Sequence, residues 1–217
     1  MLSEDFLHSV PVPGWYGKLP GMDDLAHRRL PDGFRKPWQR WLQAGLARLR
    51  VRHEDWTDHY LQAPRWCFVL GDNLIDGRCW VGVLMPSVDG AGRYFPFTVA
   101  AEFISSRSEL QGDALARTRQ WWALAAQAAL EGLEGDLGAE RFDELLQRLF
   151  ASATAASAEE ESGASLALPV IGHSLWFTDP SAVGGLGMTS QGLPEDDQFE
   201  ALFGFGAGAQ AQEPEAT

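Results

Sequence analysis

The stretch MPSVDGAGRYFP, residues 85 to 96, sets Asp89 and Arg93 four positions apart inside one of the most apolar parts of the chain. A carboxylate and a guanidinium at that spacing suit catalysis, ligand binding or the clamping of a turn. The intervening Gly90 and Gly92 favour the clamp, because they supply positive backbone dihedrals while Asp89 bonds its own downstream amides and the Arg fork closes on the carboxylate or a loop carbonyl. If the pair is partly buried, loss of one partner costs on the order of 3 kcal/mol or more; an exposed pair is worth under about 1 kcal/mol. A second polar stretch, GKLPGMDDL, offers Lys18 and Asp24, with Asp24 placed to cap the next turn or bind a carbonyl and Lys18 and Arg28 within reach. Lys18, Arg28, Arg29 and Arg93 could also converge on an anion if the first loop folds over the central hairpin.

Other candidate chemistry fails its own spacing. HEDWTDH, residues 53 to 59, would need a second His at position 57 to bind metal from one helical face, and the chain has Thr57 there. GLGMTSQG lacks the Lys and the strand-to-helix setting of a phosphate loop, and no G-x-S-x-G occurs. The expectation is a protein without enzymatic activity, cofactor or metal site.

The elements that must position these residues are legible in outline. Phe34, Trp38, Trp41, Leu42, Leu46 and Leu49 recur at helical spacing and predict a helix over about 34–52 with a tryptophan stripe toward the core. EDWTDHYLQAP reads as a short helix stopped before Pro64. RWCFVLG, RCWVGVLMPS and RYFPFTVAAEF read as three antiparallel strands joined by short turns, the middle one apolar on both faces and hence central. The third alternates as a strand with one buried face. Helices follow over about 113–134, with Asp113 as N-cap, and 139–150; SLWFTDP predicts a strand and GLPEDDQFEALF a short helix.

The 217 residues, 45% of them apolar, suffice for one large core. We expect an α/β fold, a largely antiparallel central sheet flanked by helices as an α/β/α sandwich in a single domain. Residues 1–150 form its main core, 151–165 a flexible Ala, Ser and Glu-rich linker, 166–203 a strand and helix packed on the core, and 204–217 a disordered tail. All 17 Lys and Arg residues lie at or before Arg148, and ten acidic residues follow it. So acidic a C-terminal third disfavours nucleic acid and anionic membranes, leaving a basic protein partner or plain solubility as its use. No run approaches the roughly 18 apolar residues of a membrane span, and the N-terminus lacks a signal pattern, which places the protein in the cytoplasm. Cys67 and Cys79 fall on neighbouring strands and read as reduced, structural residues.

Four stretches in order, GWYGKLPGMDDL (14–25), PWQRWLQAGL (37–46), YLQAPRWCF (60–68) and WVGVLMPSVDGAGRYFPFT (80–98), resemble TagF, also called ImpM or SciT, an accessory family of bacterial type VI secretion systems. The resemblance is close over 14–103 and looser beyond. Asp23 stands where the family has Gly and Leu25 where it has Phe. The resemblance implies a cytoplasmic, non-enzymatic, post-translational repressor of secretion, linked to the forkhead-associated scaffold Fha and to the kinase PpkA and phosphatase PppA. It implies Lys18, Asp24, Asp89 and Arg93 as its binding or structural motif residues. Some relatives are fused to a PppA-like phosphatase domain; none of the aspartate motifs of such a domain occurs here. The alternatives are an anion- or phosphopeptide-sensing module, a hydrolase with a scattered site, and a structural subunit of the secretion apparatus.

Overall fold

The computed structural model describes residues 12–103, 108–153, 164–180, 185–205 and 210–211. At its centre, β3 (Trp66–Ile75) and β4 (Arg78–Met85) form the hairpin whose two faces are both apolar. Along β3, Cys67 and Val69 point to one core while Trp66, Phe68 and Leu70 point to the other; Val81 and Val83 against Trp80 and Leu84 repeat the split on β4. A strand with apolar residues on both faces must be covered twice, and helices supply both covers.

One cover comes from α1 (Asp32–Arg52), α2 (Trp56–Gln62) and α5 (Asp196–Leu202), the other from α3 (Gly112–Glu134) and α4 (Ala139–Ala153). The result is the expected three-layer α/β/α domain. Its antiparallel sheet contains, in spatial order, β10 (Gln210–Ala211), β9 (Leu186–Gln191), β8 (His173–Phe177), β3, β4, β5 (Phe97–Glu102), β1 (Gly14–Gly17) and β2 (Ala26–Arg28). A separate ribbon pairs β6 (Glu109–Gln111) with β7 (Ser165–Ala167).

The tryptophan stripe of α1 lies in the core, where Trp38 stacks against Phe34 at 5.3 Å and parallel to Trp176 at 6.2 Å. Side chains of this size contribute about 1.5–3 kcal/mol each when fully buried. Below them β5 departs from expectation, because its smaller face is buried too: Thr98 and Ala100 are fully buried, and the Thr98 hydroxyl accepts the Trp38 indole N–H at 3.0 Å. That bond is what allows a polar residue to face the tryptophans. Asp113 also differs. The N-cap of α3 is Gln111, and Asp113 sits in the first turn, paired with Arg117 at 2.9 Å.

Of the segment 151–165, α4 extends through Ala153 and Ser165 opens β7, while 154–163 lies outside the described residues. Of the tail from 204, Phe205 is buried, its ring 4.0 Å from that of His53 and 4.4 Å from that of His59. Residues 206–209 and 212–217 lie outside the described residues. Cys67 and Cys79 are both free thiols, and burial pushes them up to about 12 and about 11.

Candidate functional site

The loop that follows β1 runs as KLPGMDD and leans on the turn between β4 and β5. Three contacts fix it there. The Ser87 hydroxyl donates to the Lys18 carbonyl at 2.6 Å, the Gly90 amide donates to the Pro20 carbonyl at 3.0 Å, and Leu19 is buried in the core beneath. Gly21 permits the closest approach: a Cβ there would stand 2.1 Å from the Asp136 carbonyl oxygen in the connection between α3 and α4. Tyr60 of α2 secures the other side of the turn, donating to the Ser87 carbonyl and accepting from the Ser87 amide, both at 3.0 Å. Burial pushes its phenol far up, so it remains a donor.

Asp89 lies where the two loops meet, its side chain 1% exposed. One carboxylate oxygen accepts from Lys18 Nζ at 2.6 Å and from Arg93 Nε at 2.7 Å. The other accepts from the main-chain amides of Ala91 at 3.1 Å and Arg93 at 2.8 Å. The Gly92 amide donates to the Asp89 carbonyl at 2.9 Å, with Gly92 itself at φ +75°, in the left-handed region that glycine adopts most readily. Burial opposes the charge on Asp89, but the Lys18 ammonium and the amide and side chain of Arg93 outweigh it and hold the carboxyl well below the usual carboxylate range. The turn clamp expected from spacing is therefore present, and Lys18 joins it from 71 residues away.

Arg93 extends from the clamp to the surface. Its Nη2 donates to the Asp23 carbonyl, while Nη1 stands 3.9 Å from Asp24 Oδ1, and the two side chains are 52% and 91% exposed. Asp23 contributes a backbone atom, so a glycine could serve there equally well. Lys18, Asp89 and Arg93 are thus one unit with Asp24 at its rim.

The four-cation anion pocket does not form. Arg29 instead turns to α4, where it grips Asp143 with both terminal nitrogens at 3.0 and 2.6 Å; Trp15 Nε1 donates to the same carboxylate at 2.9 Å. Burial opposes that charge as well, yet the Arg29, Trp15 and Gln147 donors bring Asp143 down to about 2. Arg28 is exposed on edge strand β2. Sequence reasoning missed the Arg29–Asp143 pair, whose members are 114 residues apart. It also missed Ser87 and Tyr60, which lie in the quoted PSVDG and YLQAP stretches.

The acidic C-terminal region is partly neutralised within the fold. On α5, Asp196 pairs with Arg48, and Glu200 takes Arg52 at 2.8 Å and His53 at 2.9 Å. His53 and His59 meet around the Phe205 ring, and among the described residues no group of three or more His, Cys, Asp or Glu is arranged to hold a metal ion. No helix among the described residues is long and apolar enough to cross a membrane.

A comparison with solved structures finds the same fold in the crystal structure of PA0076 from Pseudomonas aeruginosa PAO1. The TM-score is 0.69 at 25% identity, over 94% of this chain and 100% of that one. No curated protein matches the sequence significantly. The model of the TagF N-terminal domain, type VI secretion system-associated, matches residues 14–149, a span that begins with β1 and contains both loops of the Asp89 clamp. By that match over more than half its length, the chain belongs to the type VI secretion-associated TagF N-terminal domain family.

Proposed function

We propose that this protein is a non-enzymatic cytoplasmic repressor of type VI secretion that acts after translation by binding a component of the machinery. The forkhead-associated scaffold Fha is the partner that the family resemblance favours, with PpkA and PppA as the functionally linked kinase and phosphatase. The observation that carries the reading is the position of the polar motif residues of the matched region. Lys18, Asp89, Arg93 and Asp24 form one unit whose outer members, Arg93 and Asp24, face solvent on two adjoining loops. Buried Lys18 and Asp89 hold the loops together, and exposed Arg93 and Asp24 are free to meet another protein. Rigid loops on a well-packed scaffold are where binding residues concentrate.

The experiment is a calorimetric titration with purified scaffold, phosphorylated and unphosphorylated, at two salt concentrations. Binding to at least one form supports sequestration as the mode of repression, and a marked salt dependence implicates surface charge. Absence of binding to both forms overturns sequestration of this scaffold. Deletion of the gene separates repressor from structural subunit: secretion rises in the first case and is lost in the second.

A further inference from the structure

We infer that the outer edge of the Arg93 guanidinium is a binding site for an oxyanion, a carboxylate or phosphate group on an acidic segment of a protein partner, and that Asp24 guards it as an internal competitor. The assignment to a partner rests on the function proposed above; the anion site does not.

Arg93 is not a freely rotating surface cation. Its Nε is fixed on Asp89 Oδ2 at 2.7 Å, its main-chain amide on Asp89 Oδ1 at 2.8 Å, and its Nη2 on the Asp23 carbonyl. Little rotamer freedom is left to lose when a ligand arrives. Half of the side chain nevertheless faces solvent, and Nη1 has Asp24 at 3.9 Å, beyond hydrogen-bond length. Among the described residues Arg93 is the only cation within ion-pair distance of Asp24, which is 91% exposed and free to swing aside.

The charge count points the same way. Lys18 and Arg93 stand against the carboxylates of Asp89 and Asp24, so the unit is neutral while Asp24 faces Arg93 and carries one positive charge once Asp24 swings aside. Lys18 is 10% exposed and turned inward, which leaves Arg93 as the cation available to an incoming anion. Nη1, with no acceptor within hydrogen-bond length among the described residues, offers charge-assisted donors to an oxygen of a carboxylate or phosphate.

The test follows the main-chain amide signals of residues 23, 24 and 93 by NMR, which every variant retains, while sodium phosphate or sodium acetate replaces sodium chloride at constant ionic strength. A saturable shift is expected in the unmodified chain. It should tighten about 2- to 5-fold in Asp24→Asn, the effect expected on removing an exposed competing ion pair. In Arg93→Lys, checked for folding by thermal melting, the saturable response should vanish because the fork is gone while the charge remains. Saturation by acetate marks a carboxylate source and saturation by phosphate alone a phosphorylated one. A purely linear drift with both salts, or an Asp24→Asn response no tighter than that of the unmodified chain, overturns the site. If the site passes but the scaffold binds the unmodified chain and Arg93→Lys equally well, the assignment to that partner is overturned while the anion site stands.

Discussion

Asp89 accepts four hydrogen bonds on its two oxygens, two of them from cationic side chains, and this decides what each substitution around it does. Asp89→Asn leaves Lys18 buried without its countercharge. Because Arg93, which covers the site, is itself half exposed, the expected loss is about 3 kcal/mol, the low end for a broken buried pair, read as a lower urea midpoint at neutral pH. Asp24→Asn should cost under about 0.5 kcal/mol in the same assay. Acid discriminates further. The folded-state carboxyl of Asp89 lies below its unfolded value of about 3.9, so its contribution is complete above that pH and is lost as pH falls through the folded value. The stability gap between the parent and Asp89→Asn should therefore narrow between about pH 5 and pH 2, Asp143 being common to both; a gap of constant width would contradict the clamp. Spacing and two glycines were enough to anticipate the Asp89–Arg93 half of this unit. Lys18 was placed within reach of Asp24 and among cations for an anion; its partner is Asp89, and nothing local indicates a contact 71 positions away.

Elements set the clamp's position through close contacts that polar chemistry does not reveal. Gly21→Ala alters no charge, yet its Cβ would collide with backbone at Asp136, so the first loop must lift from the connection between α3 and α4. We expect a loss of about 1–3 kcal/mol in a denaturant melt, with faster amide exchange at residues 18–24 than at β4. A stability unchanged from the parent would show that the loop is not pinned there. The second fastening is Arg29–Asp143 with the Trp15 indole, which joins the outer strands β1 and β2 to α4. Asp143→Ala should slow no secondary-structure formation elsewhere but raise exchange at residues 14–17. Helical periodicity made α1, α3 and α4 readable, and continuous apolar runs between turn residues made β3 and β4 so, because those two strands meet an apolar layer on each face. The stretch around GWYG reads as a loop or short strand and is β1, whereas β2 and β9 were not legible, since AHR is too short for a period and LGMTSQ places few apolar residues on either face. They exist because neighbouring strands offer ladder partners, as β1 does for β2 and β8 for β9.

The family match ends at residue 149, but the cooperative unit of the whole molecule extends further. Central strand β3 pairs with β4 on one side and with β8 on the other, so a chain cut after Ala153 would turn its Cys67–Leu70 stretch into an open edge. The cut would also uncover two indole donors: Trp66 Nε1 gives its proton to the Leu202 carbonyl at 2.9 Å, and Trp41 Nε1 to that of Pro194 at 2.7 Å. Each such hydrogen bond contributes about 0.5–1.5 kcal/mol net. Trp176, Phe199, Leu202 and Phe203 would leave the core at the same time, each taking about 1.5–3 kcal/mol of burial with it. Against a usual total stability of about 5–15 kcal/mol, these losses are as large as the whole margin. A fragment of residues 1–153 should therefore show no cooperative thermal transition and bind a hydrophobic dye, whereas the 217-residue chain should melt in one step. A cooperative transition with native-like near-ultraviolet dichroism in the fragment would instead make β8, β9 and α5 an appendage. Where only the 217-residue chain melts cooperatively, any partner that grips the loops at Asp24 and Arg93 holds a body whose folding depends on its own acidic C-terminal segment, with Glu200 paired to Arg52 and His53 beside α1 as part of that dependence.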